Sequence, residues 1–237
     1  MTATTENSFG AKLRRAQDLL TFISGFTGYN PPRAQEGVTG FTTFVNSIVT
    51  TNATESQHQQ NYKVAVDQRQ AAFLKAPNSI HKMLVPIRGA VEAQYGKKST
   101  EATAIAAIIK TMRTTKLVRP PADPNNPVQE QTVSQSERSY GSMTQHFNDI
   151  VNTLTQFTGY NPTNNALKIA GLQATATQLT TLNNNVASKT MALKSTRTNR
   201  LNLYAELKER AQRIKAYVKA QYGNSSVEYN LIKGISI

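Results

Sequence analysis

The chain has 237 residues, room for one large domain or two ordinary ones, each with a real core. It has no cysteine, which excludes disulfides, zinc-thiolate sites and thiol catalysis. Only 17% of its residues are charged, against about 25% in an average soluble domain, yet the net charge is +13 because acids number only 14. The surface is therefore expected to be largely hydroxyl- and amide-bearing, suited to packing against copies of itself without strong repulsion.

The opening "MTATTENSFG" is polar and lacks the basic and apolar regions of a secretory signal. The longest apolar-leaning run, "ATAIAAII" at 102 to 109, is too short to cross a bilayer. A cytoplasmic product with no membrane span is expected, with non-classical export left open.

The first helical stretch, "SFGAKLRRAQDLLTFISGFTGYNP" at 8 to 31, returns as "SYGSMTQHFNDIVNTLTQFTGYNP" at 139 to 162, a shift of 131 residues. The shared hexapeptide "FTGYNP" reads as a helix stop followed at once by a helix start. Gly28 and Gly159 suit the left-handed position just past a helix, while Asn30-Pro31 and Asn161-Pro162 offer an N-cap and a first-turn proline. A tight corner between antiparallel helices is expected; a ligand contact through Tyr29 or Tyr160 is the alternative.

A long amphipathic helix follows in each copy. Phe41, Val45, Ile48, Asn52, Glu55, Gln59, Tyr62, Val66, Arg69 and Phe73 fall on one stripe, matched by Leu172, Ala176, Leu179, Asn183, Val186, Thr190, Leu193, Arg197, Arg200 and Tyr204. Asn52 and Asn183 occupy the same place in the two stripes. A buried Asn in such a seam costs stability while fixing register.

A third helix has Ile80, Leu84, Ile87, Val91 and Tyr95 on its core face, with Leu207, Ala211, Ile214, Val218 and Tyr222 as counterparts. Its end carries a second repeat, "VEAQYG" at 91 to 96 and "VKAQYG" at 218 to 223, at a shift of 127, so four residues are missing from the second copy. The gap falls at "KAPN", 75 to 78. In the first copy Pro77 breaks the chain and Ser79 can cap the third helix. The second copy has no such break, and helices two and three are expected to fuse into one rod of about 55 residues, roughly 80 Å at 1.5 Å per residue. Short serine-capped helices close each copy at 99 to 113 and 225 to 234.

The predicted architecture is all-α, two tandem bundles of three long helices plus a short one. The first repeat spans 8 to 118 and the second 139 to 237. The Pro-rich "RPPADPNNPVQEQTVSQSE" within 119 to 138 reads as an extended linker.

At these residues the chain resembles a known group. The succession "Y-N-P", "R-x-x-R-x-x-L-Y" (Arg197, Arg200, Leu203, Tyr204), "K-x-Y-V-K-x-x-x-G" (Lys215, Tyr217, Val218, Lys219, Gly223) and "S-x-x-Y-x-x-I-K-G-I" (Ser226, Tyr229, Ile232 to Ile235) looks like a set of helical proteins common in Bacteroidota genomes. The resemblance covers nearly the whole second copy and, more loosely, the first. It implies a bacterial source and an all-helical fold, and carries no activity with it. The chain departs from that group by losing the loop between helices two and three of the second copy.

Chemistry is sparse. His58, His81 and His146 sit in different elements with no partner at a metal-ligand spacing, and no nucleophile triad assembles locally. No paired carboxylates or phosphate-cradling glycine loop stand out. No enzyme activity, cofactor, metal or small-molecule substrate is expected. The basic excess is concentrated in the second copy, where Lys189, Lys194, Arg197, Arg200 and Lys208 are followed by Arg210, Arg213, Lys215 and Lys219 against only Glu206 and Glu209. Such a stripe suits a nucleic-acid backbone, bound without sequence preference and weakened by salt, or an acidic protein surface. Few aromatic residues lie nearby to stack bases. The expectation is a non-enzymatic structural protein that self-assembles into a filament, tube or sheet, a homo-oligomer or polymer. The alternative is a nucleoid-type or packaging protein using the basic face.

Overall fold

The computed structural model describes residues 7 to 113 and 139 to 237, with the backbone of 117–118 and 133–134. It is all-α. Among the described residues the helices are α1 (Phe9–Gly25), α2 (Val38–Gln70), α3 (Ile80–Tyr95), α4 (Thr100–Arg113), α5 (Tyr140–Thr155), α6 (Ile169–Tyr222) and α7 (Val227–Ile232). A two-residue antiparallel pair, Leu117–Val118 with Val133–Ser134, is too short to form a layer. The linker expected at 119 to 138 otherwise lies outside the described residues.

Most boundaries follow from local chemistry. Ser8, Ser99, Ser139 and Ser226 precede α1, α4, α5 and α7, and each hydroxyl accepts the backbone N–H three residues on at 3.0 to 3.1 Å. Ser79 precedes α3 but makes no such side-chain bond. After α2 the helix widens into a π turn at Ala71–Lys75, closed by the Ala76 N–H on the Ala71 carbonyl, and Pro77 ends it. The second copy has no proline there and α6 runs unbroken for 54 residues, as expected.

The corner differs from its sequence reading. Gly28 and Gly159 are left-handed, at φ of 74° and 75°, but Asn30-Pro31 and Asn161-Pro162 do not start the next helix. In the first copy Pro31 precedes Pro32, which drives it toward extended backbone. In the second, the Asn164 side chain caps a short 3-10 turn at Asn165–Leu167 instead. The resulting loops fold back: the Tyr29 hydroxyl donates to the Glu36 carbonyl at 2.9 Å, and Tyr160 does the same to Leu167 at 3.1 Å. Each loop then lies against the first turn of the following helix. A Cβ on Gly40 would stand 2.2 Å from the Ala34 oxygen, and one on Gly171 would stand 2.5 Å from that of Asn165, so both positions require glycine.

The repeats are not the compact bodies. One unit comprises residues 1 to 62 and 190 to 237, the other 63 to 189. The units do not coincide with the sequence repeats at 8 to 118 and 139 to 237: each unit draws helices from both copies. In the first unit Leu19, Ile23, Phe41 and Ile48 of α1 and α2 pack with Leu207, Ile214, Val218 and Ile232 of α6 and α7. In the second, Phe73, Leu84, Ile87, Val91 and Ile105 pack with Phe147, Ile150, Leu154, Leu172 and Leu179. The apolar stripes face a core as expected; the core they face belongs to the other copy as well as their own. Each such fully buried side chain stabilises its unit by about 1.5 to 3 kcal/mol through loss of apolar surface to water.

Candidate functional site

The two repeated motifs meet across the copies. In the first unit the Gln221 amide donates to the Gly28 carbonyl at 2.7 Å and the Tyr222 hydroxyl to Thr27 at 3.0 Å, while Tyr217 donates to Asn30. In the second unit Gln94 donates to Gly159 at 2.5 Å and Tyr95 to Thr158 at 3.0 Å, and the Asn161 N–H returns a bond to Gln94. Edge-on ring pairs back both sets, Phe26 with Tyr222 and Phe157 with Tyr95. The hexapeptide of each copy is thus clasped by the "AQYG" of the other. A left-handed glycine turns these carbonyls outward from the helix end, where a glutamine and a tyrosine can reach them. Burial raises the pKa of Tyr29, with Glu36 adding to it, and pushes that of Tyr160 up to about 12. Both tyrosines serve the corner as internal donors.

The cationic residues of the second copy are divided between partners and solvent. Arg197 and Arg200 converge on Glu55 at 3.0 and 2.9 Å, and Arg197 also reaches Gln59. Arg200 stacks over the Phe9 ring. Arg210 is 8% exposed, lies 4.0 Å over the centre of the Phe44 ring, and donates to Glu206 and to the Gln35 carbonyl. Arg213 donates to Glu36, a carboxylate only 2% exposed, at 2.7 Å, and this bond raises its pKa further. Lys215 donates to the Ile235 carbonyl, and burial lowers its pKa. Lys219 lies 5.8 Å from the centre of the Tyr229 ring. Lys194 and Lys208 point to solvent, and Lys189 is half-buried and belongs to the other unit. The nine residues do not form one continuous face.

Sequence reasoning missed two features. Glu36 and Arg210 are buried in what reads as a polar loop and a solvated helix face. Gln94 and Gln221 are exposed and carry no signal beyond their place in a repeat.

The asparagines of the stripes are seam groups: Asn52 donates to the Tyr204 hydroxyl at 2.9 Å, and Asn183 to the Thr144 hydroxyl at 3.0 Å. Both leave a buried Oδ1 without a hydrogen bond. His58 bonds Thr196, His146 pairs with Asp149, and His81 is exposed. Among the described residues no group of three or more His, Asp or Glu could hold a metal, and no helix is long and apolar enough to cross a membrane. A cleft of about 570 Å³ in the second unit is walled by Ala72, Ala76, Asn78, Met83, Thr175 and Gln178 among others, none of its lining residues titratable. It offers no acid or base, and its one hydroxyl, that of Thr175, donates to the Gly171 carbonyl at 3.0 Å. No family model, curated protein or solved structure matches the chain.

Proposed function

We propose that the protein is a non-enzymatic structural subunit that self-assembles through its helical repeats into a filament, tube or sheet. The carrying observation is the doubling of like units, each closed by the same kind of clasp between the same two motifs. Two related but non-identical units in one chain offer related faces, and head-to-tail contact between such faces propagates. The low charge density favours close approach of copies. Val85, Met191, Leu201 and Val227, all more than half exposed, add apolar contact material.

The charge distribution speaks against the nucleic-acid alternative. Arg197, Arg200, Arg210, Arg213 and Lys215 are engaged inside their own unit, so a polyanion would have to displace existing partners. Lys194, Lys208 and Lys219 are left for it. The test is light scattering across a concentration series with negative-stain microscopy, alongside a gel-shift titration at several salt concentrations. Mass rising with concentration and ordered particles are expected, with no shift at moderate salt. A monomer at all concentrations with no particles overturns the proposal, and a salt-sensitive shift would favour the alternative.

A further inference from the structure

We propose that chains join by exchanging copies: residues 7 to 113 of one chain pair with residues 139 to 237 of a second, through the same contacts that close each unit within one chain. This rests on the self-assembly reading and names its contact.

The two copies are complementary halves. Both hydrophobic cores are shared between them. Both clasps run between them, Gln221 and Tyr222 on Gly28 and Thr27, Gln94 and Tyr95 on Gly159 and Thr158. The Glu55 pair with Arg200 also joins them. Their covalent connection is the segment from 114 to 138, and none of the contacts just named uses it. A second chain therefore satisfies every one of these contacts with no new interface and no newly buried polar group, which makes exchange a low-cost route to association. Because the two copies belong to one chain, their pairing within it is unimolecular and pairing between chains is not, so a single chain closes on itself when dilute and exchanges when concentrated. Reciprocal exchange closes a dimer; one-way exchange leaves an unpaired copy at each end and propagates.

The absence of cysteine allows a direct test on the full chain. Thr27 is exposed and contributes only its carbonyl to the clasp; Gln221 is exposed across it, and its substitution gives up the bond to Gly28 while the Tyr222 and Tyr217 bonds remain. A T27C/Q221C double variant should be bridged within one chain by a short bis-maleimide; failure to bridge overturns the inference. Differently tagged T27C and Q221C chains, unfolded together and refolded at rising concentration, should give a mixed bridged species whose yield climbs with concentration. Ordered particles without that mixed bridge would overturn exchange and leave self-assembly standing through outer faces. A mixed bridge confined to dimers would uphold exchange and overturn the filament, and neither particles nor bridge would overturn both.

Discussion

The two units carry matching motifs, and the second holds four residues, 75 to 78, that have no counterpart in the first. In the first unit Phe9 packs against Tyr204 with Arg200 over the Phe9 ring; in the second Tyr140 packs against Phe73 with Arg69 over the Tyr140 ring. The hydroxyl has moved to the other partner, and the seam asparagine follows it only in the first unit, where Asn52 bonds Tyr204. Away from the seam the units diverge. Arg210 and Phe44 stack in the first unit, whereas the corresponding positions 83 and 175 of the second hold methionine and threonine. There the π turn and the 570 Å³ cleft are found. The Gln–Gly and Tyr–Thr bonds of the clasp are kept in both units, whereas Tyr217, which bonds Asn30 in the first, has Ala90 as its counterpart in the second, and the outer side of the same helices differs as well.

That contrast can be broken at several points. The largest effect is expected at the corner: Gly40→Ala should cost about 3 kcal/mol, because its methyl would overlap loop backbone that cannot yield cheaply. Gly171→Ala should cost somewhat less, its nearest atom being 2.5 Å away against 2.2 Å. Equal, negligible shifts in urea midpoint would show that the loops are not seated on the helices.

Next is Arg210→Met, which gives the first unit the residue of the second. Loss of its bonds to Glu206 and Gln35 and of the Phe44 contact should cost about 2 kcal/mol, less than a fully buried ion pair because Glu206 is partly solvated. An unchanged urea midpoint would demote the stack to packing filler.

Tyr29→Phe and Tyr160→Phe should each cost about 1 kcal/mol, the usual net value of one hydrogen bond. They should also alter the alkaline limb. An unfolded tyrosine ionises near 10.0 and folded Tyr160 near about 12, so the unfolded state loses its proton first. The stability from this group is complete below pH 10 and is lost as pH rises through 10 to 12. Tyr29 shifts in the same direction. Unfolding free energy measured from pH 8 to 12 should fall less steeply in the double Phe variant; parallel curves would remove the buried donors from the account.

The smallest effect is expected at the seam. Asn52→Leu and Asn183→Leu each remove a hydrogen bond together with an unbonded buried oxygen, and should stay within about 1 kcal/mol of the parent in either direction. A loss above about 3 kcal/mol would mean that the amide is structurally indispensable.

Much of this was legible in one dimension. Serine caps, Pro77 and the left-handed glycines act within a few residues, and apolar periodicity names the buried face of a helix whatever lies opposite. The 54-residue α6 could be read from the missing "KAPN" alone. The loop between the corner and the next helix could not, because what delays the helix start is a tyrosine bond seven residues ahead and a backbone pressed on glycine. The partners inside the cationic stripe were illegible for a related reason: Glu36 and Glu55 are far away along the chain, and only folding brings them to Arg213 and Arg200.

By itself the sequence determined which segments are helical, which faces are apolar, and that the pattern occurs twice. Only the tertiary structure decided which copy each face meets. Two copies with matching stripes satisfy their hydrophobic pattern equally well by pairing within themselves or with each other, so periodicity cannot distinguish the two. The choice falls to the full set of packed side chains and clasp bonds, which is complete only when each half is closed by the other.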